Sequence, residues 1–283
     1  MAKAHHIIEQ LHQPMVSRVA LFGVQVDVVR MEGAVQQLLD WVDQPTGFCR
    51  YVVTPNVDHT VMLQHNEAMR TAYHDADLVL PDGYPVVWAS RILGRTLPER
   101  VAGSDLVPAL FAAADPKSPL RIFLLGAGPG VAARAAKRIE QRWPGVEIVD
   151  TYSPPFGFEH DDVEQERILA KVRAVRPDVL IVGLGAPKQE IWVHKHRTRL
   201  ASSVVVCAGA TIDFLAGEKS RAPRWIQRIY MEWLYRLLSE PRRLFWRYAK
   251  DAWIFPQIVW REWRSFSNGS GPDRQNHEPY RTG

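Results

Sequence analysis

Residues 51–83 read YVVTPNVDHTVMLQHNEAMRTAYHDADLVLPDG, and the rest of the chain can be ordered around them. Tyr51-Val52-Val53 is a β-rich run that stops at Thr54-Pro55-Asn56. A helical stretch follows, with Val57, Val61, Met62, Met69 and Tyr73 on one apolar face. Leu78-Val79-Leu80 is a second apolar run, ending at Pro81-Asp82-Gly83. The pattern is a β-α-β unit, whose crossover makes its two strands parallel. Parallel neighbours end on the same sheet edge, so Thr54, Asn56 and Asp82 are expected to lie close together. Ligands of open α/β sheets bind at that carboxyl edge. A plainer reading stands beside this one. Thr54 before Pro55 suits a helix N-cap, and Asp82-Gly83 suits a turn or the cap of a helix from Tyr84.

Outward from this unit the alternation continues. Arg18 opens VALFGVQVDVV, one or two short strands, and a helix carries Val35, Leu38, Leu39 and Val42. After a helix at about 84–93, Ser104 or Asp105 is placed to cap LVPALFAAA. Strands are expected at Leu120–Leu125, Val146–Val149, Asp178–Val182 and Val204–Cys207, separated by helices that include Lys188–His196. Such alternation implies an α/β fold, a Rossmann-like, mainly parallel sheet with helices on both faces. The expected organisation is a flexible arm (1–17), an α/β catalytic domain (18–219), a helical appendage (220–266) and a disordered tail (267–283).

Charge separates the appendage from the rest. Residues 219–264 hold 11 Lys/Arg and 4 Asp/Glu, a net of +7, whereas the whole chain carries +4, leaving −3 elsewhere. Six of the ten tryptophans fall there too: Trp225, Trp233, Trp246, Trp253, Trp260 and Trp263. Basic side chains among Trp and Tyr suit a membrane–water interface, in helices broken at Pro241 and Pro256. A helical lid, a homo-oligomer interface and a nucleic-acid surface compete with that reading, although no recognisable nucleic-acid module accompanies it. No run of about 18 apolar residues suggests a membrane-spanning helix, and MAKAHHIIEQLHQP lacks the apolar core of a signal peptide. Cys49 and Cys207 alone offer neither a disulfide framework nor a clustered metal site, which suits a reducing compartment.

Two glycine turns carry further chemistry. LLGAGPGVAA (124–133), with Asp150 about 20 residues on, approaches a dinucleotide fingerprint and motivates an NAD-dependent oxidoreductase as an alternative. It fails at the third glycine, where Val131 stands. Gly126 and Gly128 then read as a turn that lets backbone approach a ligand. In VGLGAPKQE (182–190), Gly185 and a helix opening with Lys188 suit a phosphate or a developing anion, or a plain βα turn with a solvated Lys188. Asp75-Ala76-Asp77 looks like a metal-holding acidic pair, but it precedes its strand and so belongs at the amino edge. No other His/Cys/Asp/Glu cluster has ligand spacing.

Taken in order, TPNVDH, ADLVLPDG, VAGSDL, LLGAGPGVA, PDVLIVGLGAPKQE, GATIDFLAG, RAPRWIQ and EWLYRLLSEPRRLFWRY resemble the WecG/TagA/CpsF family of bacterial glycosyltransferases over about residues 18–250. The resemblance implies transfer of a sugar from a UDP-linked donor to a polyprenyl-diphosphate-linked acceptor, by inversion and without a metal or other cofactor. It also implies peripheral attachment to the cytoplasmic face of the bacterial inner membrane. It places the general base at Asp82, Thr54 and Asn56 beside the reacting centre, Gln189 near the donor and Asp213 near the nucleoside. Arg100, Arg221 and Arg224 become partners for diphosphate groups, and Asp105 and Glu190 are the reserve candidates for the base. Two stretches depart from the family: YSPPFGF stands where many relatives read like HGYF, and MEWLY where a Gly-Leu-Glu-Trp run is common.

Overall fold

The computed structural model describes residues 17–267, apart from Arg224, 227–229 and the side chain of Arg243. The expected N-terminal arm up to residue 16 and the tail from 268 lie outside the described residues, as does Arg224.

A short hairpin, β1 (Arg18–Leu21) and β2 (Val24–Asp27), precedes helix α1 (Met31–Asp43). The opening unit is β3 (Arg50–Val53), α2 (Val57–Leu63), α3 (Glu67–His74) and β4 (Leu78–Val79). There follow α4 (Tyr84–Ile92), α5 (Gly103–Ala113), β5 (Leu120–Gly126), α6 (Val131–Arg142), β6 (Val146–Tyr152), α7 (Asp162–Val175), β7 (Val179–Gly183), α8 (Lys188–His196), β8 (Val204–Cys207) and α9 (Thr211–Ala216). Helices α10 (Glu232–Ser239) and α11 (Pro241–Ser267) close the described chain.

The six strands β3–β8 form one parallel sheet in the order β4-β3-β8-β7-β5-β6. Alternation sorts their side chains into two cores. Tyr51, Val53, Phe123, Leu125, Leu180, Val182 and Val205 face one side, and Val52, Ile122, Leu124, Val179, Ile181, Val204 and Val206 the other. The first core is covered by α2, α3, α4, α7, α8 and α11 with the hairpin, the second by α1, α5, α6 and α9. Both faces are buried, hence the near-continuous apolar runs in these strands. The chain is α/β and Rossmann-like, as its alternation implied.

The crossover from β3 to β4 contains two helices rather than one. Asn66 Oδ1 accepts from the Met69 N–H at 2.9 Å and starts α3 afresh. Asn56, not Thr54, is the cap of α2, its Oδ1 accepting from the His59 N–H at 3.0 Å. Helix α5 begins at Gly103 with Ala102 as its cap, so Ser104 and Asp105 lie in its first turn and neither caps it.

The appendage departs most from expectation. Pro241 opens α11, a position where its missing N–H costs nothing. Pro256, expected to break the segment, lies inside a continuous 27-residue helix. Burial on both sides of it explains this. Leu244, Phe255 and Ile258 are buried, with Phe255 and Ile258 joining the core beside Phe22 and Leu63. Glu262 accepts from the Phe22 N–H at 2.8 Å. That docking outweighs one lost backbone hydrogen bond. Trp246, Trp253 and Trp260, seven residues apart, remain on the exposed side. No described helix is long and apolar enough to cross a membrane.

Candidate active site

The loop after β3 leads to α2 on one face of the sheet, and the loop after β8 leads to α9 on the other. A crevice therefore opens between the carboxyl ends of these neighbouring strands, the usual ligand position in open α/β sheets. The structure has a cleft of about 420 Å³ there, with walls supplied by the ends of β3, β4, β7 and β8. Thr54, Asn56, Asp82, Gly185, Gln189 and Asp213 all line it.

Backbone bonds stitch the exit loops together. The Leu80 N–H donates to Val53 O at 2.9 Å, Asp82 N–H to Pro55 O at 2.9 Å and Val101 N–H to Pro81 O at 2.8 Å. The TPN and PDG turns are thus fixed side by side. Helix α5 closes on them through Gly103: a Cβ there would stand 3.2 Å from Ala208 Cα and 3.5 Å from Thr54 Oγ1, so only glycine admits this approach without displacement. Thr54 is buried under that contact.

Three carboxyls compete for the role of base, and geometry ranks them. Asp82 is partly exposed to the cleft, and burial pushes its carboxyl up to about 6 against the opposing charges of Arg100 and Arg236. Burial would raise Asp105 too, but the hydrogen bond from Arg221 and the Arg100 charge hold it below the usual carboxylate range. Glu190 is wholly enclosed: burial lifts it to about 7, Gln189 Nε2 donates to its Oε1 at 2.8 Å, and its Oε2 has no hydrogen-bond partner among the described residues. Of the three, Asp82 combines access to the cleft with proton affinity near neutrality.

A line of alternating charge runs from Asp82, in the lining, through Arg100, Asp105 and Arg221, which are not among the residues lining the cleft. Arg100 Nη1 is 3.6 Å from Asp82 Oδ1, and Arg100 also pairs with Asp105. Asp105 holds Arg221 at 2.6 Å, and Arg221 reaches Glu232 at 3.4 Å. Arg100 Nε and Arg221 Nη2 are buried donors without a partner among the described residues. Both guanidinium groups are thus held by carboxylates, each with one enclosed donor left unsatisfied.

Three other cations do line the cleft: Lys219, Arg236 and Arg247. Sequence reasoning assigned their segment to a membrane surface and missed them. Arg236 lies over the Phe214 ring, and Arg247 pairs with Asp58 at 3.5 Å. The turn between α10 and α11 decides which basic residues face inward, and one sequence carries no clear signal for it. His59, also in the lining, is pushed down to about 4 by burial and by Arg247, so it stays neutral beside the Tyr73 hydroxyl at 2.7 Å.

Other expected donor contacts stand apart from the cleft lining. Gly126 and Gly128 lie at the end of β5. There the Ala127 N–H donates to Gly183 O at 3.0 Å, and Ser153 Oγ donates to the Gly126 and Gly128 carbonyls. A Cβ at Gly126 would be 2.4 Å from Gly183 O, so close packing of two turns requires that glycine. Asp150 pairs with Lys171 at 3.7 Å. Lys188 pairs with Glu159 at 2.6 Å and lies over Phe156. Gly185 lies in the lining, its N–H donating to Gln189 Oε1 at 3.1 Å, which locks that amide. Asp75 and Asp77 sit at the opposite, amino edge, paired with His194 and Arg197. Among the described residues, no group of three His, Cys, Asp or Glu side chains is placed to hold a metal ion.

The model of the glycosyl transferase WecG/TagA/CpsF family matches residues 19–269. A Bacillus spizizenii N-acetylglucosaminyldiphosphoundecaprenol N-acetyl-beta-D-mannosaminyltransferase is 36% identical over 208 residues, 73% of this chain and 76% of that protein. A Staphylococcus aureus protein of the same name is 27% identical over 228 residues, 81% of this chain and 87% of its own. The chain belongs to the WecG/TagA/CpsF family of glycosyltransferases.

Proposed function

We propose that this protein transfers a sugar of the N-acetylmannosamine type, with inversion, from a UDP-linked donor to a saccharide carried on a polyprenyl diphosphate. The relatives' names support the acceptor and the sugar class. The observation that carries the reading is Asp82, a carboxyl raised to about 6 in a cleft lined also by Lys219, Arg236 and Arg247.

In one displacement, an acceptor hydroxyl attacks C1 of the donor sugar and Asp82 takes its proton. The bond from C1 to the phosphate oxygen breaks, and UDP leaves as an anion. Lys219, Arg236 and Arg247 stabilise that charge without a metal. Thr54 borders the reacting centre. Asn56 has its Oδ1 committed to the His59 N–H, which leaves its amide NH₂ for a sugar oxygen. Gln189 and Asp213 line the donor side. Arg100 and Arg221 meet the acceptor diphosphate through their charge; Arg224 is assigned the same role from the family pattern. The exposed Trp246, Trp253 and Trp260 stripe, with the basic residues around it, holds α11 on an anionic membrane surface at the cytoplasmic face.

The test is a panel of UDP-sugars offered to the full-length protein with lipid-linked N-acetylglucosamine, in excess chelator. UDP-linked N-acetylmannosamine is expected to be used, at an undiminished rate. Loss of activity restored by Mg²⁺ or Mn²⁺ would refute metal independence, and tight NAD binding without UDP binding would favour an oxidoreductase.

A pH dependence follows from Asp82. Its ionised form is the base, so kcat/KM is full well above pH 6 and falls as pH drops through about 6. Arg100 lowers that pKa by its charge, so Arg100→Gln should shift the acidic limb to higher pH besides weakening acceptor binding. A limb unmoved by Arg100→Gln would mean that Asp82 is not the titrating group.

A further inference from the structure

Beside the cleft lies an aromatic strip to which nothing above assigns a role. Tyr84, Trp88 and Ile92 stand at successive i,i+4 positions of α4, the helix that begins two residues after Asp82. From across the gap Tyr230 brings its ring to 3.9 Å from Tyr84 and 5.5 Å from Trp88. The cluster is packed yet open: Trp88 retains 44% of its surface, Tyr230 43% and Ile92 66%. Mutually packed rings that stay half exposed form a continuous apolar patch, unlike scattered single residues.

Position distinguishes this patch from the exposed tryptophans of α11. Its inner end touches the reactive machinery, because the Arg100 guanidinium lies 5.3 Å over the Tyr84 ring and 3.6 Å from Asp82. From there the strip runs eight residues along α4, about 12 Å at the helical rise.

We propose that Tyr84, Trp88, Ile92 and Tyr230 seat the first isoprenoid units of the acceptor's lipid chain. This rests on the lipid-linked acceptor proposed above. The parts of such an acceptor come in fixed order: saccharide, diphosphate, chain. With the attacking hydroxyl at Asp82 and the diphosphate at Arg100 and Arg221, the chain must depart from the arginines, where the strip begins. A branched, unsaturated hydrocarbon gains by covering ring faces and an isoleucine. A second sugar ring would find the Tyr84 and Tyr230 hydroxyls and the indole N–H of Trp88 but no polar group on Ile92, too few partners for its several hydroxyls.

The experiment compares two soluble acceptors that share N-acetylglucosamine diphosphate, one esterified with farnesol and one with methanol, without vesicles or detergent. Binding is measured by calorimetry and turnover by UDP release, for the full-length protein and for Trp88→Ala with Ile92→Ala. The unaltered protein should prefer the farnesyl compound about tenfold or more in affinity and kcat/KM, roughly the worth of two buried methylenes. The double variant should bring that ratio close to one while keeping its UDP affinity and thermal midpoint. A farnesyl preference that persists in the variant overturns the proposal, as does equal use of both compounds by the unaltered protein. A preference that appears only when anionic vesicles are added also overturns it, and makes the strip a membrane contact. Failure of the underlying reading looks different: the unaltered protein would neither bind nor glycosylate either compound, and the proposal falls with it.

Discussion

Asp82→Asn lowers turnover by roughly 10²- to 10⁴-fold, the usual worth of a positioned general base. The amide is nearly isosteric, so the backbone bond from Asp82 N–H to Pro55 O and the stitched loops persist. UDP affinity should change little, because Asp82 acts on the acceptor proton. Single-turnover kinetics with saturating donor, alongside calorimetry with UDP, separates the two effects. Turnover near normal would move the base elsewhere. Neither alternative is well placed: Asp105 is held ionised by two arginines, and Glu190 has no exposure to a substrate. The acidic limb near pH 6 should vanish with the carboxylate.

Arg236→Ala should cost about 10- to 100-fold in kcat/KM, corresponding to loss of one hydrogen bond to a charged group. Arg236 lines the cleft and its charge acts on Asp82. Two readouts should therefore move together: the rate falls, and the acidic limb shifts to higher pH as a cation that favoured the carboxylate disappears. Binding to anionic vesicles should be unchanged, since Arg236 faces the cleft while Trp246 and Trp253 remain exposed. Reduced vesicle binding with normal transfer to a soluble acceptor would place Arg236 on the membrane surface instead. The assay distinguishes an appendage that completes the cleft from one that only anchors.

The sheet was legible because both its faces are buried. Apolar runs ending in TPN, PDG, GLG and GAT mark strands whose carboxyl ends carry polar or glycine turns, and parallel pairing brings those ends together. Asp82 beside Thr54 and Asn56 follows from that one rule. Helix boundaries were less legible where side chains compete for the backbone. Asn66 restarts a helix that apolar spacing alone reads as continuous, and Asn56 takes the capping role that Thr54-Pro55 suggested. The glycine turn after β5 is ambiguous in another way. Glycine serves a close approach of backbone to backbone as readily as of backbone to phosphate, and at Gly126 the neighbour is Gly183.

The appendage was legible in composition and opaque in placement. A net +7 with six tryptophans announces an unusual surface. It does not say that α11 continues through Pro256, buries Phe255 and Ile258 against the hairpin, and turns Arg247 toward Asp58. Those outcomes depend on partners far away in sequence, Asp58 for Arg247 and Phe22 for Phe255, and tertiary contact overrides the local helix-breaking tendency of proline.

The anomeric configuration of the product tests the central claim most directly. The full-length protein is given UDP-α-linked N-acetylmannosamine and a short-chain lipid-linked N-acetylglucosamine in excess chelator, and the one-bond carbon–hydrogen coupling at the new C1 is read by NMR. A single displacement assisted by Asp82 predicts a β-linked disaccharide. An α-linked product would require two displacements or a different reacting face, and would contradict the mechanism assigned to this cleft.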